Sequence, residues 1–141
     1  MKRSLLTTLM ILLAASTLSA MANDPASVVR GGRLYDNWIA ETKARAPNQT
    51  NPAFKNKSLR VAAPDTWRCV ECHGWDYKGK HGLKGIQGYQ KANAAAFATL
   101  LKDANHGYEE LLDEHDRIDL ANFVSSGQTD MNRLVGQARN V

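Results

Sequence analysis

The sequence predicts an all-α domain, and three observations carry that expectation. Apolar residues recur at three- and four-residue spacing in three separate stretches, which places them on one helix face. No strand-like alternation flanks the two cysteines. Prolines and glycines gather in two irregular blocks, 44–66 and 78–90, between those stretches.

Residues 1–22 stand apart. Lys2 and Arg3 precede an apolar run from Leu5 to Leu18 interrupted only by Thr and Ser, and Ala20-Met21-Ala22 is an A-x-A site. This three-part layout is that of a secretory signal peptide cleaved after Ala22. The run is short for a spanning helix, which needs about 20 apolar residues. A periplasmic protein, not membrane-spanning once cleaved, is expected. The remaining chain, 23–141, suits one small domain. It keeps 16 basic against 14 acidic residues, a net +2 that gives no argument for nucleic acid.

The first helix is expected from Pro25 to about Lys43. Asp24 is the N-cap, and proline suits the first helical position. Val28, Leu34, Tyr35, Trp38 and Ile39 share a face. Gly31 and Gly32 interrupt it at about 1 kcal/mol each against Ala, so close approach of another helix is the expected reason. Residues 44–66, with Pro47, Pro52 and Pro64, read as a long irregular insertion; loops of this length are often functional, and a solvated surface insertion is the alternative. A second helix is expected from Asn93 to about Asp103 and a third from about Glu109 to Ser126, with Gly127 as its C-terminal cap. A short tail follows, from Gln128 to Val141.

The chemistry lies in Cys69-Val70-Glu71-Cys72-His73. This is C-x-x-C-H, the attachment sequence for c-type haem. Two thiols two residues apart can each bond one vinyl group on the same haem edge, and the following histidine then lies under the iron. A redox dithiol wants a βαβ context, which is missing, and a zinc site needs a second ligand pair. The chain has only two cysteines, so no wider disulfide framework exists. Trp67, Trp75 and Tyr77 around the motif offer an aromatic wall for a porphyrin. Gly79, Gly82, Gly85 and Gly88 would allow close backbone approach to a flat group.

The order of these features resembles the class I cytochromes c. Gly31-Gly32-Arg33-Leu34-Tyr35 is similar to the pattern on that family's N-terminal helix, and Asp119-Leu120-Ala121-Asn122-Phe123-Val124 to its C-terminal helix, with C-x-x-C-H between. The wording Cys72-His73-Gly74-Trp75-Asp76-Tyr77-Lys78-Gly79 is similar to a subgroup of bacterial c-type cytochromes, some with a second haem domain. The resemblance implies a class I cytochrome c-like fold: three main helices around one covalent haem c, with the end helices crossing at the glycines. Three departures stand out. The 44–66 insertion precedes the motif; no proline follows Pro64 to fix the proximal histidine; and no methionine precedes the last helix.

The resemblance implies a mono-haem electron carrier, likewise not an enzyme, attached through Cys69 and Cys72 with His73 as proximal iron ligand. A backbone carbonyl between Gly82 and Ile86 is expected to hold the His73 ring. Met131 is the expected sixth ligand, as the one methionine left after cleavage; His106 is the alternative, and His81 and His115 are further candidates. Met ligation would raise the potential. An open sixth site would instead make a ligand sensor or small peroxidase-like enzyme, and a fixed subunit of a larger redox complex is a further alternative. Partners are other redox proteins, docking on Lys78, Lys80, Lys84 and Lys91, and the protein is expected as a monomer.

Overall fold

The computed structural model describes residues 24–138. The signal-peptide reading of 1–22 therefore lies outside the described residues. Those described form helices and irregular segments, with no strand among them. No helix among them is long and apolar enough to cross a membrane.

Helix α1 spans Pro25–Thr42. The Asp24 carboxylate accepts from the Ala26 N–H at 3.0 Å, so the expected cap is in place. The helix is not continuous, because Asn37 leaves helical geometry with φ −153° and ψ 82°. The Asn37 side-chain oxygen accepts from Ala40 N–H at 3.1 Å and so caps the resumed helix. Leu34, Tyr35 and Trp38 are buried.

Helix α2 is the short Cys69–His73, and α3 is Ala94–Leu100, capped by Asn93, which accepts from Ala95 and Ala96 N–H. Helix α4 is Glu114–Asn122. It starts later than the expected Glu109 because Asp113 and Asp116 form a reciprocal capping box there. A π-turn, Phe123–Gly127, continues it. Ser125 and Ser126 hydroxyls both donate to the Asn122 carbonyl, at 3.1 and 2.7 Å, where the helix widens. Gly127 does not act as a left-handed cap. A Cβ there would come within 2.6 Å of Val28, so its smallness admits α1. The expected tail contains a fifth helix, α5, over Met131–Ala138.

The end helices cross where the glycines sit. A Cβ on Gly32 would meet the Phe123 ring at 3.2 Å, and one on Gly31 the α4 backbone. A charged network locks the crossing. Arg30 donates to Asp119 at 2.6 Å and also to Asp116, while the Ser27 hydroxyl donates to Asp119 and accepts from the Asn122 amide at 2.9 Å. The Asp119 side chain is only 2% exposed, so this pairing offsets a charge taken out of water.

Candidate cofactor site

Cysteine, cysteine and histidine at positions 1, 4 and 5 of α2 fall on one helix face. Both ends of this element are tied to α1. The Trp67 carbonyl accepts from Trp38 Nε1 at 2.8 Å and from the Tyr108 hydroxyl, and the Gly74 carbonyl accepts from the Tyr35 hydroxyl at 2.7 Å. Tyr35 and Trp38, three residues apart and on either side of the Asn37 break, thus hold the motif at its entrance and exit. Arg68 adds a third tie, donating to the Asp36 carbonyl and carboxylate at 2.8 and 2.9 Å.

The motif faces a cavity of about 360 Å³, within the size range of cofactor sites. Cys69, Cys72 and His73 line one side. Leu83, Ile86, Phe97, Leu101, Leu120 and Val124 make an apolar wall, with Tyr35 and Tyr108 as aromatic members. The expected wall of Trp67, Trp75 and Tyr77 is not the one found: none of them lines the cavity. Trp75 is 62% exposed and Tyr77 packs against Tyr35 and Phe123. Those aromatics flank the motif in sequence, but the clamped ends of α2 turn them away from the side its thiols face.

The insertion is not a solvated surface loop. Asn51 and Phe54 are buried, and Asn51, Ala53 and Lys55 line the cavity. Thr66 stitches it down, accepting from Asn51 N–H at 2.9 Å and donating to Ala63, while Trp67 Nε1 donates to the Gln49 carbonyl at 2.7 Å. No apolar periodicity marks this segment, so sequence reasoning missed its role; the proline-rich composition signals only that it is irregular.

Two of the glycines after the motif, Gly79 and Gly85, are required by close backbone approach. A Cβ on Gly79 would lie 2.1 Å from the Leu83 carbonyl oxygen, and one on Gly85 2.4 Å from that of Tyr77. Gly79 also has φ +97°. The loop they permit folds back, with Gly79 and Lys80 N–H groups donating to His73 and Cys72 carbonyls. It brings the Lys84 carbonyl to 2.8 Å from His73 Nδ1, inside the expected Gly82–Ile86 stretch.

Burial sets the protonation states. It pushes the Cys69 thiol from its ordinary 9.0 to about 12 and the Cys72 thiol to about 11. A redox dithiol needs the opposite shift, toward thiolate. Burial also lowers the His73 pKa, with the Lys84 carbonyl opposing, so the ring is held neutral, the form that ligates metal. No three His, Cys, Asp or Glu side chains converge to hold an ion among the described residues, which leaves the zinc reading without a ligand set.

Comparison with known proteins gives no match. No family model, no curated protein and no solved structure matches the chain. The site is therefore read from its own geometry.

That geometry separates the candidate ligands. His106 lines the cavity. His81 turns to Glu71, its Nε2 2.8 Å from Oε1, and packs on Phe54. His115 is exposed beside Arg30 on the α1–α4 network. Met131 opens α5 and packs against the core rim without lining the cavity. Lys78, Lys80, Lys84 and Lys91 are exposed and do not line it either. Lys78 bonds Asn132 at 2.8 Å, and Lys80 pairs with Glu71 at 2.9 Å.

Proposed function

We propose that the protein is a class I c-type cytochrome that holds one covalent haem c and carries single electrons between redox proteins in the periplasm. The observation that carries this reading is the convergence of Cys69, Cys72 and His73 on one side of a cavity with a largely apolar wall. Both cysteines are unbridged, so both thiols remain to form thioethers. When bound, the haem supplies one-electron chemistry at its iron.

The chain's own residues supply the rest. Cys69 and Cys72 anchor the group. His73 presents Nε2 to it, since Nδ1 is engaged by Lys84. The apolar wall keeps water from the buried face and so favours a fixed electronic environment. Exposed lysines around the motif would steer an acidic partner.

The test is the c-type pyridine haemochrome of the protein matured in a host with haem-attachment machinery. The haem should stay with the denatured chain, and Cys69→Ala with Cys72→Ala should abolish attachment. Haem that acidified solvent extracts from the unaltered protein would refute the reading.

A further inference from the structure

His73 and His106 face each other across the cavity. Their ring centroids are 6.5 Å apart and their planes are inclined by only 26°. With a metal–nitrogen bond of about 2.0 Å on each side and the ring radii added, two axial imidazoles on one iron have centroids roughly 6 Å apart. The separation found is one that leaves room for a flat group between the two.

Each ring also has one nitrogen engaged outside the cavity. His73 Nδ1 meets the Lys84 carbonyl at 2.8 Å, and His106 Nδ1 meets the Asp103 carboxylate at 3.0 Å. Nε2 is the atom left on both. Asp103 is itself held, accepting from the backbone N–H groups of Asn105 and His106 at 2.9 and 2.8 Å. A ligating histidine fixed through its second nitrogen by a carboxylate is a recurrent arrangement at metal centres.

Resting on the haem reading, we infer that His106 Nε2 is the sixth axial ligand, opposite His73, and that Asp103 is its positioning residue. Met131 has neither the place nor the orienting partner. An imidazole is a harder donor than a thioether and favours Fe(III), so the pair sets a lower reduction potential than His–Met ligation would. A carboxylate on the distal Nδ1–H strengthens that donor further.

The experiment uses the exported, haem-loaded protein and four variants: His106→Ala, His106→Met, Asp103→Asn and Met131→Ala. Pyridine haemochrome first establishes that covalent haem is present. Expected for the unaltered protein are a low-spin ferric spectrum without the far-red Met–Fe(III) charge-transfer band, and a ferrous form that does not take up CO. His106→Ala should turn it high-spin and CO-binding, and added imidazole should restore the low-spin spectrum. His106→Met should raise the potential. Asp103→Asn should stay low-spin with a raised potential, and Met131→Ala should change neither spectrum nor potential. A charge-transfer band lost in Met131→Ala, or CO uptake by the unaltered ferrous protein, overturns the His106 assignment alone. Absence of covalent haem overturns the underlying reading and this one with it.

Discussion

A Cβ placed on Gly31 would lie 2.0 Å from the carbonyl oxygen of Asp119 and 2.7 Å from the Cβ of Phe123. Both obstacles belong to the backbone or its first side-chain atom, so neither can rotate aside. Gly31→Ala should therefore force the α1–α4 crossing apart, at the upper end of the 1–3 kcal/mol typical of overpacking or beyond it. Gly32→Ala meets only the Phe123 ring and should cost less than half as much. Thermal unfolding of the two variants checks the ranking, and equal losses would contradict it.

Removing the cation from the crossing should be as damaging. Arg30→Ala leaves Asp116 and Asp119, both nearly inaccessible, without their counter-charge. Breaking a buried pair from one side destabilises by about 3–5 kcal/mol. Arg30→Lys should recover only part of this, because a single ammonium cannot serve two carboxylates with the fork geometry of a guanidinium. Denaturant unfolding with an unchanged slope reads the effect.

The buried thiols predict a pH dependence confined to the haem-free chain. Their folded pKa values, about 12 and about 11, lie above the ordinary 9.0. Between those limits the folded state binds more protons than the unfolded one, so stability falls as pH rises. The contribution is fully present below pH 9 and is lost through pH 11–12. Alkaline titration by circular dichroism should show it in apoprotein. It should vanish in Cys69→Ser with Cys72→Ser, and in holoprotein, whose thioethers cannot ionise.

Charge at the cavity rim should tune the potential. Lys55 lines the cavity from the insertion, whereas Lys84 does not. On the haem reading, Lys55→Glu would place a negative charge near the iron, favour Fe(III) and lower the potential more than Lys84→Glu does. Protein-film voltammetry compares them, and equal shifts would remove Lys55 from the rim.

Partner steering should rest on a subset of the lysines. Lys78 and Lys80 have neighbouring carboxylates in Asp76 and Glu71. Lys84→Gln with Lys91→Gln should thus flatten the ionic-strength dependence of electron transfer to an acidic redox protein more than the same change at 78 and 80.

What could be read in the sequence was what local rules control. Asp24-Pro25 fixes the start of α1, and the Gly31-Gly32 pair marks the crossing because nothing else justifies glycine in a helix interior. The C-x-x-C-H spacing puts its three reacting groups on one face. The Asn37 break, the delayed start of α4 and the π-turn depend on side-chain hydrogen bonds that compete with the helix, which periodicity does not register. The insertion carries the greatest loss of information. Asn51 and Lys55 reach the cavity in a loop that Thr66 and Trp67 tie back on itself, through bonds 15 and 18 positions apart that periodicity does not register. The sixth ligand is a similar case. The sequence favours Met131 as the one methionine left after cleavage, while the structure puts His106 on the cavity and Met131 on the core rim.

The α1–α4 crossing joins Ser27 to Asp119, 92 positions apart in the chain. Closing a loop of that length costs about 4 kcal/mol in chain entropy before any contact is gained. The cavity lies between the two ends of that loop, with Tyr35 from α1 and Leu120 from α4 both on its wall and the two cysteines near its midpoint. On the haem reading, a group bonded to those cysteines would give α1 and α4 each a nearby surface to find. One long search would become two shorter ones, and a haem held there would act on the kinetics of folding as well as on the passage of electrons.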